Sequence, residues 1–170
     1  MKLRIRPELY NKLAGALRDA GANETGGVLM GEQLAPGDFR LMDLTIAKRT
    51  GGPAHFERSP QEHCEELESF FGETGMDYGR FNYLGEWQSH PSDLPLPSGK
   101  DILSMRELLD EDPHIPFAVL LICRADGARV ALSATLFQPN LPHERVDIVD
   151  DYCDETLPKG TPDGQDIHSV

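Results

Sequence analysis

Gly85-Glu-Trp-Gln-Ser-His-Pro91, followed by Ser98-Gly-Lys-Asp101, is the densest polar signal in this chain. The first stretch reads as the end of a strand. Side chains alternate along a strand, so Gln88 and His90 point to one side and address one point in space. Pro91 lacks an amide hydrogen and ends the ladder. The second stretch reads as a helix start, with Ser98 as cap and an acidic residue three positions on. Asp101, brought beside the strand end, would complete a three-sided oxygen and nitrogen site. Catalytic zinc commonly has three protein ligands and one open position for water, whose pKa the metal lowers toward neutrality. A water nucleophile then needs a proton acceptor that is not a ligand. Glu24, just ahead of a glycine-rich segment, is the candidate. Ser98 could donate to a developing oxyanion. Each residue also has an ordinary reading: Ser98 and Asp101 as a cap, His90 as a loop histidine, Glu24 as a solvated turn residue. Glu86 and Trp87 read as strand-face residues. His55, His63, His114, His143 and His168 show no ligand spacing. The joint order of the site residues is what raises them above these readings.

Outward from this site, the pattern predicts a helix over Pro7 to Ala20. Leu9, Leu13, Leu17 and Ala20 form its apolar stripe, and Gly21 is its stop. Glu24-Thr-Gly-Gly-Val-Leu-Met-Gly31 reads as a buried strand whose paired glycines allow close backbone approach. Asp38 to Ala47 is its partner, across a Pro36-Gly37 turn. Ser59-Pro60-Gln-Glu62 opens a second helix reaching Phe71 or Thr74, and Phe81 to Trp87 is a strand. Ser98 to Asp112 is a third helix. Pro116 to Arg124 and Ala128 to Phe137 are strands joined by an Asp126-Gly127 hairpin turn. The order α-β-β-α-β-α-β-β predicts an α/β fold: a mixed, mostly antiparallel sheet flanked by helices, not a Rossmann unit. No GxGxxG or GxxxxGK[ST] is present, so nucleotide-binding enzymes have no support.

The 170 residues amount to one domain. The net charge of −13 argues against nucleic acid and against a polybasic grip on a membrane. The longest apolar run, Phe117 to Cys123, is far short of the roughly 20 residues that span a bilayer. The N-terminus has no apolar signal region. Cys64, Cys123 and Cys153 are widely spaced and lack a CxxC, the usage expected of a reducing cytosol, so the expected location is cytoplasmic. From Glu144 to Val170 eight acidic residues face Arg145 and Lys159. The expected division is a domain over 1–143 and an acidic extension over 144–170, flexible from about 156.

Glu24, then Gln88-Ser89-His90-Pro91, then seven residues from Pro91 to Pro97, then Ser98 and Asp101, resembles the JAMM motif of JAB/MPN-domain metalloproteases. That pattern is an upstream glutamate, His-x-His, seven residues, Ser, two residues, Asp. Glu24 to Gly31 is similar to the family's glutamate-bearing strand. Tyr83-Leu-Gly-Glu-Trp87 is similar to the lead-in of prokaryotic members, encoded beside ubiquitin-activating-like and conjugating-like enzymes in CBASS-type antiphage and related operons. The resemblance covers about residues 1–138 and implies a cytidine-deaminase-like sandwich. It implies Zn2+ as cofactor, with His90 and Asp101 as ligands. Glu24 takes the general acid/base role and Ser98 stabilises the oxyanion. Gln88 stands where the family has its first histidine. Its amide oxygen is a neutral, harder donor than imidazole, which implies weaker zinc retention. The implied activity is removal of a ubiquitin-like modifier from conjugates, or processing of its C-terminus, with the modifier and conjugation enzymes as partners. Three alternatives stay open: a working Gln88 ligand, a weakly metallated slow enzyme, and an inactive JAB-fold binding module. An artificially introduced glutamine is a fourth. A small-molecule hydrolase on the same fold is a further reading, because function lives in the site and not in the fold.

Overall fold

A computed structural model describes residues 1–48, 51–52 and 60–152 of the chain. In chain order the elements are β1 (Lys2–Ile5), α1 (Pro7–Ala20), β2 (Gly26–Ala35) and β3 (Asp38–Leu44). A 3-10 turn (Pro60–His63) leads into α2 (Cys64–Glu73) and β4 (Phe81–Ser89). Then come α3 (Gly99–Glu111), β5 (Ala118–Asp126), β6 (Arg129–Phe137) and β7 (Glu144–Asp150). Ser59 lies outside the described residues, as does the segment beyond Tyr152.

The helix predicted over Pro7 to Ala20 forms with those bounds. Pro7 starts it, and Gly21, at φ 63°, ends it by donating its N–H to the Leu17 carbonyl. Its stripe of Leu9, Leu13, Ala16 and Leu17 packs onto Leu3, Ile5, Leu29, Leu41 and Leu121. Each such leucine contributes roughly 1.5–3 kcal/mol by leaving water. From Ala118 to Cys123 β5 is buried on both faces, which is why its sequence runs apolar there without a break. Val119, Leu121 and Cys123 join the α1 side. Ala118, Leu120 and Ile122 join Met105 and Leu109 of α3 in a second cluster.

The sheet is closed, in the order β1-β3-β2-β4-β5-β6-β7, where an open sandwich was expected. The antiparallel pairs β2–β3, β2–β4, β5–β6 and β6–β7 outnumber the parallel pairs β4–β5, β1–β3 and β1–β7. Two strands absent from the predicted order cause the closure. β1 buries Leu3 and Ile5 and pairs in parallel with both β3 and β7. β7 buries Val146 and carries the expected extension's first residues, so the ordered unit runs past 143 to Asp151. Asp151 is held by its N–H to the Ile5 carbonyl and by Arg40 Nε at 2.6 Å. The acidic composition of this stretch hid the alternation of Val146 and Ile148.

One irregularity in β4 decides where the site faces. Leu29 of β2 is opposite Gly85, and Met30 is opposite Tyr83, so Leu84 is an extra residue on β4. Such a bulge shifts the alternation by one. Leu84 and Trp87, three apart, therefore both enter the α1-side core. Glu86, Gln88 and His90 turn to the α3 side. The buried indole Nε1 of Trp87 donates to the Thr45 carbonyl at 2.7 Å. Gly27 admits that same carbonyl: a Cβ there would lie 2.1 Å from Thr45 O. This is the close approach the paired glycines predicted.

Candidate functional site

Glu24, Gln88, His90, Ser98 and Asp101 line one cleft of about 900 Å³ between the end of β4 and the start of α3. The site residues predicted from sequence are thus brought together. Glu24 comes into register because β2 and β4 are antiparallel, with Gly26 opposite Gln88. Two hydrogen bonds extend that pairing. Ser89 N–H donates to the Thr25 carbonyl at 2.8 Å, and Thr25 N–H donates to Ser89 Oγ at 2.9 Å. Ser89 is fully buried, so its hydroxyl aligns the chain beside Glu24 and His90. The Glu24 backbone is held on its other side. Its N–H donates to the Gly52 carbonyl at 3.0 Å, and Gly51 N–H donates to its carbonyl at 2.8 Å.

Ser98 and Asp101 form the capping box their spacing predicted. Ser98 Oγ accepts from Asp101 N–H at 3.3 Å, and Asp101 Oδ2 accepts from Ser98 N–H at 2.6 Å. The structural and functional readings of this pair are compatible. Capping uses a lone pair of Ser98 Oγ and leaves its O–H proton to donate. Ser98 is exposed, and Asp101 is half-buried.

His90 is buried, with Nε2 3.3 Å from Asp101 Oδ2 and Nδ1 3.4 Å from the Leu94 carbonyl. The Asp101 carboxylate beside it holds the imidazole above its ordinary 6.5, against the opposing effect of burial. Burial pushes Asp101 up, but hydrogen bonds from His90, Ser98 and Gln88 outweigh it and bring it to about 2. Asp101 is therefore an anion at neutral pH, as a ligand must be. Gln88 Nε2 donates to Asp101 Oδ1 and lies 3.4 Å from His90 Nε2.

The chemistry of this donor set fits a zinc ion on two sides. Zn–N and Zn–O bonds of about 2.0–2.1 Å in tetrahedral geometry put neighbouring donors about 3.3 Å apart. His90 Nε2 and Asp101 Oδ2 have that separation. The third side is Gln88, whose only metal donor is its amide oxygen. Among the described residues no group of three His, Cys, Asp or Glu side chains could hold a metal without it.

The cleft contains residues that sequence reasoning left out. Glu86 lines it, two positions before Gln88, and the 86, 88, 90 alternation was the available signal. Leu94 and Leu96 form an exposed apolar rim. Among the histidines set aside, His63 is buried with Nδ1 2.8 Å from Thr45 Oγ1, and His143 stacks on Phe137. His55 and His168 lie outside the described residues.

This fold and cleft define a JAB-type domain, and the chain belongs to the family of prokaryotic homologs of the JAB domain, whose model matches residues 6–135. It is similar to a CD-NTase/cGAS isopeptidase of Enterobacter hormaechei subsp. hoffmannii, 31% identical over 122 residues. That match covers 69% of this chain and 64% of the relative. A CD-NTase/cGAS isopeptidase of Escherichia coli is 30% identical over 112 residues, covering 62% of this chain and 65% of the relative. The chain thus spans somewhat less than two thirds of either relative. In fold it is similar to the solution structure of a Desulfitobacterium hafniense protein. The TM-score is 0.66 at 20% identity, with 88% of this chain and 92% of that one covered. No helix among the described residues is long and apolar enough to cross a membrane.

Proposed function

We propose that this chain is a zinc-dependent JAMM-type isopeptidase or peptidase. It would remove a ubiquitin-like modifier from its conjugates or process the modifier's C-terminus. The relatives' names point to a CD-NTase conjugate as the substrate class. The observation that carries the reading is the meeting of Glu24, His90, Ser98 and Asp101 in one cleft. Its residues divide the labour of amide hydrolysis. His90 and Asp101 would hold the metal, with Gln88 turned to offer its amide oxygen. A zinc ion bound there supplies Lewis-acid polarisation of the scissile carbonyl and acidifies water. Glu24 takes the proton of the attacking water and returns it to the leaving amine. Ser98 O–H donates to the carbonyl oxygen as negative charge develops there. The Leu94 and Leu96 rim contacts the chain leading to the cut bond.

The test is cleavage of a linear ubiquitin-like fusion by zinc-loaded protein and by chelated protein. Cleavage after the modifier's C-terminus, lost on chelation, is the expected result. Intact fusion with the zinc-loaded protein and with a Gln88→His variant would overturn the reading. The engagement of the Gln88 amide with Asp101 favours a second reading, a JAB-fold binding module. Cleavage by Gln88→His but not by the natural sequence would select it.

Ser98→Ala separates the two uses of that hydroxyl. Losing the cap is expected to cost about 1 kcal/mol of stability, read by urea denaturation. Losing the donor is expected to lower kcat by about 100-fold or more. A stability loss with unchanged kcat would leave Ser98 as a cap alone.

A further inference from the structure

Gln88 is the position at which this chain departs from the JAMM pattern, and the hydrogen bonds around it show what an amide does there. The Leu94 carbonyl can only accept, so His90 Nδ1, 3.4 Å away, carries a proton. The ring's Nε2 faces the cleft, 3.3 Å from Asp101 Oδ2. Asp101 Oδ1 is an acceptor, while Oδ2 is taken by Ser98 N–H at 2.6 Å. Gln88 stands between Asp101 Oδ1 and His90 Nε2. Its Nε2 donates to Asp101 Oδ1 and lies 3.4 Å from His90 Nε2. An amide nitrogen has two N–H groups to donate and no lone pair to offer a metal. The opposite orientation would place its oxygen against the Asp101 carboxylate, two acceptors without a proton between them.

We propose that Gln88 is a latch on the metal site. Its NH2 group binds Asp101 and stands in front of His90 Nε2 in the metal-free protein. A divalent cation gains the pair only by displacing that group, with the amide turning over so that Oε1 replaces Nε2. This rests on His90 and Asp101 being the metal ligands. Two consequences follow from the hydrogen bonds. The metal-free site is already ordered, because both oxygens of Asp101 are satisfied within the protein. Metal binding must break contacts that a carboxylate at position 88 would never have made. The natural glutamine therefore makes the metal site labile and leaves the fold independent of metal.

The experiment compares the natural sequence with Gln88→Glu and Gln88→His by thermal melting and by calorimetric titration with zinc. Glutamate has the shape of glutamine but no N–H, and it sets a second carboxylate against Asp101. The natural protein is expected to melt at the same temperature with and without chelator. Gln88→Glu is expected to melt lower without metal and to gain more on adding zinc. Its zinc affinity, and that of Gln88→His, should rise about tenfold or more, the equivalent of one or two net hydrogen bonds. Zinc binding by both variants and none by the natural protein would support the latch, while leaving the natural protein without the metal its proposed activity needs. The latch is overturned if the natural protein binds zinc as tightly as Gln88→His, a result that strengthens the peptidase reading. It is also overturned if metal-free Gln88→Glu is as stable as the natural protein. If Gln88→His binds no zinc either, the assignment of His90 and Asp101 as ligands fails, and the latch fails with it.

Discussion

Glu24→Ala is expected to lower cleavage of a ubiquitin-like fusion by about 100- to 10,000-fold, the range over which a positioned acid/base contributes. The fold should not change. Glu24 is half-buried in the cleft, and the two hydrogen bonds to Gly51 and Gly52 that hold its backbone survive truncation of the side chain. Ser89 still holds the Thr25 amide. Zinc uptake should not change either, because the proposed ligands are His90, Asp101 and Gln88. The measurement is kcat/KM together with zinc per chain by elemental analysis. Glu24→Gln, which keeps the shape and removes the base, should lose as much activity. Loss of zinc alongside activity would move Glu24 into the ligand set and contradict the proposed division of roles.

Gly85→Ala is expected to be the most damaging single methyl in the sheet. Gly85 has φ 147°, outside the conformations L side chains readily adopt. A Cβ there would lie 2.0 Å from the Val119 carbonyl oxygen and 2.5 Å from the Val119 nitrogen. Those atoms belong to the adjacent parallel strand, where Gly85 is opposite Val119, and cannot swing away as a flexible side chain could. Strain at such a position costs about 1–3 kcal/mol, and the overlap adds a similar amount. The sum, about 4 kcal/mol, is a large part of a typical total of about 5–15 kcal/mol. Urea denaturation measures it. Gly15→Ala is the control: its Cβ would meet nothing within 4 Å in the middle of α1, and it should stabilise by about 0.5–1 kcal/mol. Near-normal stability of Gly85→Ala would mean that β4 and β5 relax apart at Val119.

Local rules recovered what local chemistry controls. The bounds of α1 follow from Pro7, the leucine spacing and Gly21. The start of α3 follows from the reciprocal bonds of Ser98 and Asp101. β5 was legible because a strand covered on both faces needs an apolar residue at every position. The candidate site residues, which meet in one cleft, were singled out through order and spacing, which do not depend on where the strands lie. What escaped was non-local. Lys2-Leu-Arg-Ile5 alternates as a strand should, but four residues are too few to separate a strand from a leader into α1. Glu144 to Asp150 reads as a solvated acidic stretch until β1 and β6 are seen to pair with it.

By itself, then, the sequence determined the helix caps, the buried central strand and the presence in one chain of a glutamate, a histidine, a serine and an aspartate at JAMM spacing. Only the tertiary structure decided that the sheet closes and that Glu24 comes into register with His90. It alone decided that the extra residue at Leu84 turns Gln88 and His90 toward α3, and that the Gln88 amide points its nitrogen at Asp101. The physical reason is that caps and periodicity are set by residues a few positions apart. Register, bulges and amide orientation are set by partners that only the fold brings into contact.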